Sequence, residues 1–211
     1  MNSQSPKTTV GLSQINNSFS GANYLPYSVG LLQAYVEKYS SCKKRFEFLR
    51  PVFKRTSVQE AVKQLVPAEV IGFSLYVWNE QISLEIIRQL KRINPNIYIV
   101  CGGPQVPDRA ELFLRNNPEI DVAVHGEGER TFFKLLEIFP SRETNQISGI
   151  SKINASGVFY SNPKADRTKD LSTIPSPYLS EVFDDLISTS DEEWLVLWET
   201  NRGCPFQCTF C

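Results

Sequence analysis

The stretch VIGFSLYVWNEQISLEIIRQLKRINPNIYIVCGG, residues 70–103, decides the fold. Val70 to Val77 is an almost continuously apolar run, the pattern of a strand buried on both faces. Past Asn79, the residues Ile82, Ile86, Leu90 and Ile93 recur at helical spacing and stop before Pro95. Asn96 to Gly103 is a second apolar run, broken by paired glycines. Strand, helix and strand in so short a span imply two parallel strands joined by a right-handed crossover.

The same alternation extends in both directions. On the N-terminal side, Thr8–Ile15 reads as a strand, followed by the loop INNSFSGANYLP and a helix from Ser28 to Tyr39 with Val29, Leu32, Val36 and Tyr39 on one stripe. Arg45–Arg50 is a short strand, and Ser57 with Glu60 forms an S-x-x-E capping box ahead of Val58, Ala61, Val62 and Leu65. On the C-terminal side, Asp108–Arg115 is a helix, Asp121–Glu129 a strand with a glycine-rich exit, and Phe132, Leu135, Leu136 and Phe139 mark another helix. This is an α/β, doubly wound, flavodoxin-like (Rossmann-like) fold with a five-stranded parallel sheet in the order 2-1-3-4-5. Its ligand crevice is expected at the carboxyl ends of the strands, in the loops after the first, third, fourth and fifth.

After Pro140 the pattern changes. ISGISKIN and GVFYSN, separated by Ala-Ser, read as a hairpin, and the proline-bearing stretch 162–180 as an extended linker. EEWLVLWETNRG, residues 192–203, returns to strand character just before the last cysteines. The expected organisation is a ligand-binding domain over 1–140, a hairpin and linker over 141–193, and the start of a second domain over 194–211.

Composition narrows the function classes. The 211 residues carry 22 Lys+Arg against 23 Asp+Glu, a net charge of −1, and 41% hydrophobic residues. That balance gives no electrostatic footprint for nucleic acid, and no apolar run approaches the roughly 18 residues of a membrane span. The N-terminus lacks the apolar core of a secretory signal, so a cytoplasmic protein is expected. Of five cysteines, three fall at Cys204, Cys208 and Cys211. An odd count without an export signal argues against a disulfide framework. Cys42 and Cys101 have no partner at ligand spacing and read as ordinary thiols.

The C-x3-C-x2-C run Cys204-Pro-Phe-Gln-Cys208-Thr-Phe-Cys211 lets one loop wrap one metal centre. Thiolates suit an iron–sulfur cluster or zinc, and three protein ligands leave one coordination position open. A zinc site completed by another residue, or three unrelated cysteines, are the plainer readings that spacing leaves open. The glycine pairs Gly102–Gly103 and Gly126/Gly128, at consecutive strand ends, let backbone approach a large flat ligand, and Ser74 offers a hydroxyl beside them. Glu127 and Glu129 fit a helix N-terminus, where negative charge favours the dipole. Tyr24, Pro26 and Tyr27 in the first loop face the same crevice or cover the core.

The loop ETNRGCPFQCTFC, residues 199–211, resembles the cluster loop of radical S-adenosylmethionine enzymes, down to the aromatic residue before the third cysteine. GFSLYVWN (72–79), CGGPQVP (101–107), VHGEGERTFFKLLE (124–137) and DLSTIPSPYL (170–179) resemble the portion of cobalamin-binding-domain radical enzymes that precedes the radical barrel. The resemblance implies that Cys204, Cys208 and Cys211 ligate a [4Fe–4S] cluster, with Phe210 near the adenine of S-adenosylmethionine. It implies cobalamin contacts at Ser74, Leu75, Gly102, Gly103, Pro104, Gly126, Glu127 and Gly128. In that family the cluster reductively cleaves S-adenosylmethionine to a deoxyadenosyl radical, and the implied chemistry is methyl transfer to carbon, or a radical rearrangement or oxidation, of an organic substrate. An electron donor such as flavodoxin or ferredoxin is implied as a partner. Because the chain stops on Cys211, it reads as a fragment, inactive alone, and a cobalamin-binding module without catalysis is the alternative. A domain binding FMN or a nucleotide is a further alternative, but there is no G-x-G-x-x-G after a strand. The D-x-H-x-x-G device that supplies cobalt with a histidine is also missing: Ala123 stands in the Asp place ahead of His125, on the fifth strand. No protein imidazole is therefore assigned to cobalt.

Overall fold

The computed structural model describes residues 7–41, 45–204, 206, 208 and 209. Cys42, Lys43, Lys44, Phe210 and Cys211 lie outside the described residues. Strand β1 (Thr8–Asn16) runs through the sheet, and a two-residue strand β2 (Asn23–Tyr24) follows it. Helix α1 is Tyr27–Tyr39; the next strand is split into β3 (Phe46–Phe48) and β4 (Val52–Lys54). The split falls at Pro51, which has no N–H to give to a ladder, and the register against β1 slips between Ser13 and Asn16. Then come α2 (Val58–Leu65), β5 (Val70–Ser74), α3 (Glu80–Ile93), β6 (Tyr98–Gly102), α4 (Glu111–Asn116), β7 (Val122–Val124) and α5 (Gly128–Glu137).

With β3 and β4 counted as one interrupted strand, the parallel order is 2-1-3-4-5, as the pattern predicts. The hairpin β8 (Ile150–Ile153) and β9 (Phe159–Ser161) does not stand apart. It continues the sheet antiparallel to β7, through pairs such as Val124 with Ile150.

Alternation along the strands splits the core in two. Val70, Tyr98 and Val100 face α1 and α5, against Val29, Phe132 and Leu135. Ile71, Phe73, Ile99 and Cys101 face α2, α3 and α4, against Ala61, Leu65, Ile86 and Leu90. Each fully buried Leu, Ile or Phe here adds about 1.5–3 kcal/mol relative to leaving it exposed. The Ser57 capping box forms as expected: its hydroxyl accepts from the Glu60 amide at 3.2 Å. At α1, where Pro26 offers no cap, the buried Gln14 side chain on β1 accepts from the Val29 amide (3.3 Å).

Several expected elements are shorter than the apolar runs. The strand expected over 70–77 ends at Ser74, where the chain turns toward Asn79. Of the strand expected over 192–203, only β10 (Trp194–Leu195) is paired, parallel to β2. The proline-bearing stretch and the short helix α6 (Asp184–Ser188) pack on the domain. Phe183 is buried against Gly30 of α1, in a small cluster with Leu25, Phe53 and Leu186.

Candidate functional site

The carboxyl ends of β5, β6 and β7 open into one cleft of about 1060 Å³. Asn79, which is fully buried, shapes its first edge. Its amide donates to the carbonyls of Ile15 (2.9 Å) and Ser74 (3.1 Å), and its oxygen accepts from the Tyr76 amide (2.8 Å). The ends of β1 and β5 are thereby tied together, and Ser74 is left at the cleft floor. Tyr76 turns back to share a 2.6 Å hydrogen bond with the Ser28 hydroxyl on α1, and both residues line the cleft.

At the end of β6, Gly102, Gly103 and Pro104 line the cleft. Gly103 has φ +99°, and a Cβ on it would press into the Leu75 backbone, so this turn admits only glycine. Leu75 itself is not among the lining residues. Its side chain is fully buried in the core, and its backbone supports the turn by donating to the Gly102 carbonyl at 2.7 Å.

At the end of β7, His125, Gly126, Glu127 and Gly128 line the cleft. Gly126 has φ +71°, and a Cβ there would meet no protein atom within 4 Å. His125 is committed elsewhere: Nε2 meets the Ser151 hydroxyl at 2.8 Å, which donates on to Ser161 at 3.2 Å. Burial lowers the imidazole pKa, so the ring favours its neutral form.

The opposite wall is the C-terminal segment. The Asn23 amide donates to the Glu193 carbonyl and the Leu25 amide to that of Leu195, at 2.9 and 3.1 Å. The Tyr178 hydroxyl donates to the Leu197 carbonyl at 2.7 Å, and Tyr178 stacks on Tyr27, whose hydroxyl pKa burial and Glu199 push up. Leu197 to Glu199 and Asn201 to Gly203 line the cleft. Arg202 closes the wall onto α5: its guanidinium grips both Glu129 oxygens, at 2.6 and 3.2 Å, and Nε donates to Glu199 at 2.9 Å. Glu127 lies 3.6 Å from the same group and also accepts from the Thr168 amide at 2.9 Å. Burial opposes the Arg202 charge, but Glu129 and Glu199 outweigh it and raise its pKa. Glu127 and Glu129 thus sit at the start of α5, as the dipole argument expects, and also hold a cation. Nothing local in the sequence announces the Arg202–Glu129 pair, whose members are 73 positions apart.

The structure brings Ser74, Gly102, Gly103, Pro104, Gly126, Glu127 and Gly128 to one cleft, together with Gly203, the neighbour of Cys204. Cys204 and Cys208 are exposed free thiols, and the Phe206 amide points at the Cys204 sulfur (3.5 Å). Cys101, by contrast, is fully buried, and burial with the nearby Asp121 raises its thiol pKa, so it stays protonated. The site suits cobalamin. Gly126 leaves open space, and the lining mixes apolar residues with hydroxyl and carboxylate groups.

The B12-binding domain family matches residues 4–136. The chain is 38% identical over 193 residues to the cobalamin-dependent radical SAM methyltransferase TokK of Streptomyces tokunonensis, covering 89% of this chain and 28% of that protein. It is 36% identical, over the same shares, to the 2-(S-pantetheinyl)-carbapenam-3-carboxylate methyltransferase of Streptantibioticus cattleyicolor. The solved structure of the cobalamin-dependent S-adenosylmethionine radical enzyme OxsB, with aqua-cobalamin and S-adenosylmethionine bound, superposes with a TM-score of 0.73 at 21% identity, over 97% of this chain and 28% of that one. The chain thus spans 28% of the length of these relatives. Among the described residues, no helix is long and apolar enough to cross a membrane. The glycine-lined cleft on a 2-1-3-4-5 sheet and the match over residues 4–136 together identify the chain as a member of the B12-binding domain family.

Proposed function

We propose that the cleft binds cobalamin, and that Cys204, Cys208 and Cys211 hold a [4Fe–4S] cluster serving S-adenosylmethionine-dependent methyl transfer to carbon in a polypeptide of the relatives' length. One observation carries this reading: Gly203, next to the first cysteine, lines the same cleft as Gly102–Pro104 and Gly126. The two halves of such chemistry meet at one place. On this reading residues 1–140 form the cobalamin domain, 141–193 the connection, and 194–211 the opening of the radical domain.

When bound, cobalamin supplies a transferable methyl group, and the cluster with S-adenosylmethionine supplies the radical that removes a substrate hydrogen. The chain's own residues bind and orient. Gly102, Gly103 and Gly126 let backbone come close to a flat ring, and the Ser74 hydroxyl offers a hydrogen bond at the floor. The Phe206 amide, directed at Cys204, stabilises negative charge on that sulfur. The segment from Leu197 to Gly203 forms one side of the cleft.

Titration with hydroxocobalamin, FMN and NAD, followed by absorbance and calorimetry, tests the first part. One cobalamin per chain is expected, and preferential binding of FMN or NAD would overturn it. Anaerobic reconstitution with iron and sulfide tests the second, with about four irons per chain expected for a [4Fe–4S] site. A colourless, zinc-loaded product would sink the cluster assignment.

A further inference from the structure

We propose that Arg202 is a positioning residue, fixing the start of the cysteine loop to the floor of the cleft; this rests on the functional reading above. Its guanidinium takes a two-point grip on Glu129, lies 3.6 Å from Glu127 and bonds Glu199, so each of its three nitrogens meets a carboxylate. Glu127 follows directly on Gly126, which lines the cleft, and Glu129 lies two residues further on, in the first turn of α5. The side chains of Arg202 and Glu129 are only 13% and 6% exposed. A buried ion pair adds little over a well-packed apolar replacement, but its paired hydrogen bonds are directional. What this pair contributes is geometry.

The geometry is passed on with little slack. Gly203 alone separates Arg202 from Cys204, which limits their Cα separation to roughly 7.6 Å. Gly203 has φ +89°, and a Cβ on it would sit 3.1 Å from the Arg167 guanidinium, so the link is a turn built for glycine. Upstream, the β2–β10 pairing and the Tyr178 hydrogen bond already hold residues 194–197. Arg202 pins the end of the segment that carries the cysteines.

Arg202→Met and Arg202→Lys test this. In the chain without cofactors, Arg202→Met is expected to speed amide hydrogen exchange over 199–204 by about tenfold while β5 and β6 stay unchanged. In the loaded protein, pulsed dipolar spectroscopy between Co(II) and the reduced cluster should show a broadened distance distribution. Arg202→Lys keeps the charge without the fork and should recover part of both effects. Unchanged exchange and an unchanged distance width in Arg202→Met would overturn the proposal, as would equal loss of protection across the whole sheet. If the parent chain takes up no cobalamin, the functional reading fails and amide exchange alone decides the role of Arg202.

Discussion

The backbone of Leu75 stands directly behind Gly103: a Cβ built on Gly103 would lie 2.6 Å from the Leu75 carbonyl oxygen and 2.9 Å from its nitrogen. Gly103→Ala must therefore displace backbone as well as adopt a left-handed conformation. The expected loss is at least about 2 kcal/mol. Gly126→Ala is the control, since its methyl meets no protein atom and costs only about 1 kcal/mol of conformational strain. That methyl should instead weaken hydroxocobalamin binding. Urea unfolding and cobalamin titration of the two variants separate the effects, and equal loss of affinity and stability in both would contradict this division.

Gly30→Ala should reverse sign with its surroundings. In an open helix the change is worth about 1 kcal/mol of stabilisation. Here the added Cβ would lie 2.3 Å from Phe183 Cζ, so overpacking of about 1–3 kcal/mol wins. Phe183→Ala, which empties the site, should itself cost about 3–5 kcal/mol. In that background Gly30→Ala is expected to stabilise. A double-mutant cycle by urea denaturation measures the coupling, and additivity of the two changes would refute it.

His125 is the chain's single histidine, and burial depresses its pKa below the ordinary 6.5. The unfolded chain takes up the proton first as pH falls. The stability due to neutral His125 is thus full above pH 6.5 and is lost as pH falls through the folded value. His125→Gln should flatten the urea-midpoint profile between about pH 7 and 5. An identical slope in parent and variant would show that another group is responsible.

The cysteines should divide by reactivity. Iodoacetamide on the native, metal-free chain is expected to label Cys204 and Cys208 and spare Cys101, which is buried with a raised thiol pKa. After reconstitution with iron and sulfide, Cys204 and Cys208 should be protected. Peptide mass spectrometry reads both steps, and continued labelling at full iron loading would remove these residues from the ligand set.

What could be read in advance was local. The buried strands around Val70 and Ile99 announce themselves by composition, and the Ser57–Glu60 cap by a spacing of three residues. The glycines at 102, 103 and 126 mark the cleft because backbone approach needs them wherever the partners lie. What stayed hidden depends on distance along the chain. The strand at Val70 ends at Ser74 because Asn79 folds back on the Ser74 and Ile15 carbonyls, although Leu75, Tyr76 and Val77 remain apolar. Glu129 reads as a helix-start charge until Arg202 is seen against it. The sequence marks β8 and β9 as a hairpin but not as an extension of the sheet, because an antiparallel addition to an edge leaves no mark in either strand.

The wall that completes the cleft is long-range. Asn23, early in the chain, donates its side-chain amide to Glu192 at 2.8 Å, 169 positions later, beside the β2–β10 pairing. Closing so long a loop comes after the local strand–helix units in folding, because its entropy cost precedes any reward from contacts. All the strands of the main sheet precede Trp194 in the chain and so are synthesised before it. The nascent domain therefore presents an open-sided cleft to solvent or to any factor delivering a bulky guest, and it acquires its last side only as the segment bearing the cysteines is made.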